Sequence, residues 1–191
     1  MIKAVVFDFS GVIASPAYLK WVSNHVLNFS EKKKLYNEVF KKLDLGIYSK
    51  DMFEEFLSQE TGVPKKEIWP KVLSGVLVHE GIIGIIIKLK KKYKIGLLSN
   101  YCHEALLEII KQKRLEGYFD EILISSQCNL IKPQKEFFLR MLQRLNLKAS
   151  EILFIDDSLE NVKMARKIGM VSIHFKSFDQ LRSCFVKLEI I

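Results

Sequence analysis

Residues 3–13, Lys3-Ala4-Val5-Val6-Phe7-Asp8-Phe9-Ser10-Gly11-Val12-Ile13, run a short apolar segment into an aspartate and then into a turn that contains a glycine. A near-continuous apolar run of this length reads as a strand buried on both faces. Ligands of open α/β sheets bind beyond the carboxyl ends of the strands. Asp8, at such an end, is placed to act as a nucleophile or as a metal ligand.

Four further segments repeat the pattern, at 95–98, 122–124, 152–155 and 171–175. Apolar residues at helical spacing separate them: Leu106, Ile109 and Ile110; Phe137, Phe138, Leu142 and Leu145; Val162, Ala165 and Ile168. Alternating strands and helices predict βαβ units and a parallel sheet. The gap between the first two strands is too long for one crossover. It holds helical patterns at 16–27, 31–42, 50–61 and 65–73, with Ser30 and Ser49 as N-caps and Gly62 just past a C-terminus. The expected fold is α/β, a doubly wound, Rossmann-like parallel-sheet core with a small all-helical cap. Residues 1–14 and 79–191 form the core and 15–78 the cap, which would sit over Asp8. His79-Glu80-Gly81 is expected as the return hinge. The loop Leu45-Gly46-Ile47-Tyr48 is expected to face substrate, its glycine letting backbone approach a ligand.

Composition narrows the functional classes. A chain of 191 residues, 49% of them apolar, suits one domain with an inserted module. No apolar run approaches the roughly 20 residues that span a bilayer, and the first residues carry no signal-peptide pattern. A cytoplasmic protein without membrane partners is expected. The net charge of +8 gathers at Lys32-Lys33-Lys34 and in residues 88–94. Neither run lies in a nucleic-acid motif, so no nucleic-acid partner is expected. The three cysteines, Cys102, Cys128 and Cys184, are too dispersed for a disulfide framework or a zinc site.

The chemistry-bearing residues fall at successive strand ends. Asp8 follows the first strand, Ser99-Asn100 the second, Lys132-Pro133 the third and Asp156-Asp157 the fourth. In a parallel sheet they converge on one edge. An aspartate can attack phosphorus and form an aspartyl-phosphate, splitting a difficult step in two. Attack by an anion on a phosphate needs charge neutralisation. A magnesium ion held by carboxylates and water can supply it, as can Lys132. Ser99, Asn100 and the turn amides near Phe9 and Ser10 can donate hydrogen bonds to phosphate oxygens.

These segments resemble the motifs of the haloacid dehalogenase-like hydrolase superfamily over nearly the whole chain. Phe154-Ile155-Asp156-Asp157-Ser158 with Glu160-Asn161-Val162, Ala165 and Gly169-Met170 is similar to that family's fourth motif, Leu97-Leu98-Ser99-Asn100 to the second, and Lys132-Pro133 with Phe137 to the third. The resemblance implies Asp8 as nucleophile and Ser99 and Asn100 as phosphate-binding groups. Lys132 would stabilise both phosphate and nucleophile. Asp8, Asp156, Asp157 and the backbone carbonyl of Ser10 would hold magnesium. The implied activity is phosphate-monoester hydrolysis on a small phosphorylated metabolite.

Ser10 departs from the pattern. Phosphatases of the family usually carry an aspartate there, which protonates the leaving alkoxide and then activates water. Acid–base assistance is worth ~10²–10⁴-fold, and a serine hydroxyl does not provide it near neutral pH. Weakened catalysis, selectivity for good leaving groups, or a substitute acid such as His103 or His25 would follow. Two alternatives stand beside the phosphatase: a catalytically impaired protein that binds a phosphorylated ligand or a partner, and a dehalogenase, which needs neither metal nor second acid. The paired acids Asp156-Asp157 favour phosphate chemistry.

Overall fold

The computed structural model of the chain describes residues 1–191. Strands β1 (Ala4–Phe7), β2 (Lys94–Ser99), β3 (Glu121–Ile124), β4 (Ile152–Asp156) and β5 (Val171–His174) form one sheet in the order β3-β2-β1-β4-β5. Every pairing is parallel. The expected strands are all present, with ends that differ by a residue. β1 is central: Phe7 stands opposite Leu97 of β2 and Ile155 of β4. The strand order reverses at β1, so the tips of β1 and β4 flank the switch-point crevice where open α/β sheets bind ligands.

Alternation along β1 assigns its two faces. Val5 and Phe7 join one cluster, with Ile82, Ile86, Ile109 and Leu181, whereas Ala4 and Val6 join another, with Phe137, Phe138, Met141 and Ala165. Helices α5 (Glu80–Leu89), α6 (His103–Gln112) and α9 (Phe178–Lys187) therefore cover the first face, and α7 (Lys135–Leu145) and α8 (Leu159–Lys167) the second.

Helices α1 (Ala17–His25), α2 (Phe29–Asp44), α3 (Lys50–Thr61) and α4 (Lys65–Ser74) follow β1 and form the helical cap. The Ser49 hydroxyl accepts from the Met52 amide at 3.1 Å, and Gly62 ends α3 at φ +70°, both as expected. Ser30, expected as an N-cap, lies inside α2; the chain enters that helix through Asn28 at φ +55° instead. The amide of Asn tolerates this left-handed position. The expected hinge at His79-Glu80-Gly81 is not a loop. His79 caps α5 through Ile82 N, and Glu80 and Gly81 form its first turn. A Cβ at Gly81 would lie 2.8 Å from the Phe178 ring, so this glycine serves close packing. The connections out of and back into the core run side by side: Ser15 N donates to Leu77 O and His79 N to Ile13 O, both at 2.9 Å.

The end of α2 is pinned to the core. Ser125 Oγ donates to Asp44 O at 2.6 Å, and Asn129 Nδ2 donates to Leu45 O at 2.7 Å. Gly46, at φ +71°, approaches the carbonyl of Ser126 so closely that a Cβ would lie 2.5 Å from that oxygen. The glycine expected to admit a ligand thus admits core backbone.

Gly62 offers a matched control, since it shares the positive φ and has nothing within 4 Å of its built Cβ. Gly62→Ala is expected to cost ~1 kcal/mol, the conformational term alone, and Gly46→Ala ~1–3 kcal/mol more. Thermal unfolding of the two variants checks the difference; equal losses would mean that the loop yields freely.

Candidate active site

Asp8 leaves β1 with its amide bonded to Ile155 O at 2.9 Å. The turn behind it is tight: Phe9 O accepts from Ile13 and Ala14 amides, both at 2.9 Å, and Gly11 N donates to Ala14 O at 2.7 Å. Gly11 holds φ +87°, and a Cβ there would collide with the Asp157 carboxylate. A glycine is required both for the backbone conformation and for the space that Asp157 occupies.

Lys132 joins the strand ends. Its ammonium lies 2.7 Å from Asp8 Oδ1 and 2.7 Å from Asp156 Oδ2, and all three residues are buried. Asn100 fixes the lysine's backbone: Asn100 Oδ1 accepts from Lys132 N at 2.8 Å, and Asn100 Nδ2 donates to Lys132 O at 3.0 Å. Asn100, expected to bind phosphate, thus spends one of its two amide hydrogens and its oxygen on Lys132. Asp156 is held in turn by Ser158 N at 2.8 Å and Asn161 Nδ2 at 3.0 Å. The anchor Asn161 lies in the stretch that resembles the family's fourth motif.

Burial pushes the Asp8 carboxyl up to about 7, against the pull of Lys132 and with the help of Asp156. Burial alone would lower the Lys132 pKa; Asp8 and Asp156 overcome it and raise that pKa, so the lysine stays charged. Asp157 is also raised, by burial and then by Asp156.

The donor set fits a hard cation. Asp8, Asp156 and Asp157 each offer a carboxylate oxygen, all within 4.8 Å of one another, and oxygen ligands are what magnesium takes. Asp157 is the more open of the strand-end pair, with its backbone carbonyl accepting from His174 Nε2 at 2.9 Å. The Ser10 carbonyl accepts no main-chain hydrogen bond. Beside the cluster the Ser99 hydroxyl is fully buried without a partner, an arrangement that protein interiors avoid unless a ligand or water completes it. The amides of Phe9 and Ser10 have no main-chain acceptor either. Unspent donors therefore surround a carboxylate cluster.

A cavity of ≈ 220 Å³ lies between core and cap. Ser10 and Asn100 belong to its core side; Tyr18, Phe40, Asn37 and Asp44 come from the cap. The Tyr18 hydroxyl is buried and has no partner. No local sequence pattern marks Asp44. Neither histidine considered as a substitute acid reaches the cavity. His103 pairs with Glu104 at 3.2 Å, and His25 stacks on Trp21 at 4.2 Å between ring centroids. Burial, then a hydrogen bond to Glu104, pushes the Cys102 thiol up to about 12, which leaves it no thiolate near neutrality.

Comparison with known proteins identifies the fold and the family. A D-ribitol-5-phosphate phosphatase from Bacteroides thetaiotaomicron is 27% identical over 188 residues, covering 88% of this chain and 89% of its own. A phosphorylated carbohydrates phosphatase from Thermotoga maritima is 23% identical over 198 residues, covering 90% and 84%. The fold matches that of a haloacid dehalogenase-family enzyme from Bacteroides thetaiotaomicron with a TM-score of 0.83 at 23% identity, covering 96% of this chain and 98% of the other. That enzyme has also been solved with magnesium and inorganic phosphate, a form that matches with a TM-score of 0.79. The family pattern for haloacid dehalogenase-like hydrolases matches residues 5–175, from the strand that carries Asp8 to the end of the sheet. The chain belongs to the haloacid dehalogenase-like hydrolases.

Proposed function

We propose that the protein is a magnesium-dependent phosphatase of a small phosphorylated metabolite, acting through an aspartyl-phosphate at Asp8. The observation that carries this reading is Lys132 bridging Asp8 and Asp156 at 2.7 Å beside the unpartnered Ser99 hydroxyl. The nucleophile is held next to a fixed cation and a free donor, which is what a transferring phosphoryl group requires. Related phosphatases of ribitol phosphate and of phosphorylated carbohydrates support a sugar or polyol phosphate as substrate. Residues 15–78 act as the cap that encloses it.

Each residue takes a share. An oxygen of Asp8 bonds to phosphorus as the bond from phosphorus to the substrate oxygen breaks. Lys132 opposes protonation of the buried Asp8 carboxyl and neutralises the incoming phosphate. Ser99 Oγ, a remaining hydrogen of Asn100 Nδ2 and the amides of Phe9 and Ser10 donate to its oxygens. Asp8, Asp156, Asp157 and the Ser10 carbonyl would hold the magnesium ion. Bound there, magnesium supplies positive charge that offsets the repulsion between nucleophile and phosphate. The three-carboxylate cluster favours this chemistry over carbon–halogen cleavage, which has no use for a metal. Ser10 contributes no acid, so a phosphatase of this design that lacked another proton donor would be confined to good leaving groups.

Asp8→Asn is expected to abolish magnesium-dependent phosphate release across a panel of phosphorylated sugars and polyols; activity unchanged by this substitution would sink the mechanism. Magnesium is expected to raise the unfolding temperature of the native chain and to have little effect on Asp157→Asn, because only binding to the folded state shifts the equilibrium. Equal shifts in both would place the ion elsewhere. Lys132→Met leaves buried Asp8 and Asp156 without their shared counter-charge and is expected to lower stability by ~3–5 kcal/mol, checked by denaturant unfolding.

A further inference from the structure

The residue at position 10 faces a cavity whose opposite wall carries an acid. Asp44 is the last residue of α2, and it lines the same cavity as Ser10 and Asn100. It is the one carboxylate among the residues of that wall. Its side chain makes no hydrogen bond or ion pair within the protein, although its backbone carbonyl accepts from Ser125 Oγ at 2.6 Å. A carboxylate that is half-buried, unpaired and fixed through its own backbone is costly to keep for structure alone. Asn129 and Gly46 hold the same turn against the core, so the position of Asp44 over the strand ends is set by core contacts.

We propose that Asp44, delivered by the cap, is the proton donor and acceptor that position 10 lacks. The inference rests on the phosphatase reading above. In the first half-reaction, Asp8 oxygen bonds to phosphorus, the bond from phosphorus to the substrate oxygen breaks, and its electron pair takes the proton from the Asp44 carboxyl. In the second, a water oxygen bonds to phosphorus, Asp44 carboxylate takes the water proton, and the bond to Asp8 breaks to regenerate its carboxylate. Inorganic phosphate leaves, and Asp44 is again protonated. Burial pushes the Asp44 carboxyl up to about 7, opposed by Lys132 and assisted by Asp8, so both protonation states are accessible near neutrality.

The arrangement moves the acid from the turn that carries the nucleophile to the cap. It thereby couples proton transfer to cap position. A conventional aspartate at position 10 would be present whether or not the cap was seated. Asp44 is present only while the pin to Ser125 holds.

The test compares p-nitrophenyl phosphate, whose leaving group needs no proton, with D-ribitol 5-phosphate, whose alkoxide does. The quantity read is kcat/KM, which reports on the steps up to the aspartyl-phosphate and is blind to its hydrolysis. Asp44→Asn is expected to lower kcat/KM for ribitol 5-phosphate by about 10²-fold or more, and for p-nitrophenyl phosphate far less. Adding Ser10→Asp to that variant is expected to restore alkyl turnover by at least about tenfold, because it returns an acid to the same cavity. A contact of Asp44 with a substrate hydroxyl, or a purely structural role, would not be rescued in this way. Equal losses on both substrates, no loss, or failure of Ser10→Asp to restore the alkyl substrate would overturn the proposal. If the native chain hydrolyses neither substrate, or does so regardless of Asp8→Asn, the phosphatase reading itself falls and takes this inference with it.

Discussion

The ammonium of Lys132, 2.7 Å from two buried carboxylates, is the contact around which the strand ends are organised. Buried like charges repel strongly where water does not screen them. Lys132 opposes the effect of burial on the Asp8 carboxyl, which is otherwise pushed toward its neutral form. The need for the cation explains the supporting residues. Asn100 grips the Lys132 backbone on both sides, and Ser158 and Asn161 satisfy the remaining lone pairs of Asp156. A buried ion pair is weak evidence of net stability. Its value here is positional, since it fixes the direction from which Asp8 can attack.

The cap is joined to the core by packing as well as by polar contacts. Tyr18 of α1 packs at a tilt against Tyr101 and edge-to-face against Phe53, at 6.1 and 5.3 Å between centroids, and Tyr101 meets Phe9 beside the nucleophile at 6.0 Å. Lys50 at the start of α3 lies 3.1 Å from Glu108 of α6 and 4.4 Å over the Trp69 ring. One apolar cluster therefore runs from the sheet through the cavity wall into the cap. No helix is long and apolar enough to cross a membrane. The lysine runs expected on the surface are partly neutralised there, with Lys32 at 2.7 Å from Glu60 and Lys90 at 3.0 Å from Asp120.

Much of the core was legible because strand burial writes itself into composition. Ala4 to Phe7 and Ile152 to Ile155 are apolar since both faces of these strands are covered, and the polar residues that follow them mark the sheet's carboxyl edge. The chemistry-bearing residues at the four successive strand ends were legible for the same reason. Asp44 was not. It is one of 22 acidic residues, placed on a lysine-rich helix with no motif around it. What distinguishes it is a hydrogen bond to Ser125, 81 positions further on, and sequence spacing does not reveal contacts at that range. The end of α2 and its clamp were missed likewise, because Gly46 reads as a ligand-facing glycine until the Ser126 carbonyl is placed against it. His103 and His25 looked suitable by proximity in sequence, yet helix geometry turned one toward Glu104 and the other onto Trp21.

The central place of β1 also bears on how the chain reaches this structure. Its two partners begin at Lys94 and Ile152, so β1 precedes both and gains its second neighbour only once synthesis has passed Ile152. Contacts of such long sequence separation close late and slow folding. Until β4 docks, β1 is an apolar strand with an unpaired edge, the kind of surface that invites aggregation during synthesis. The segment bearing the nucleophile is thus made before both of its partners and is among the last to be finished.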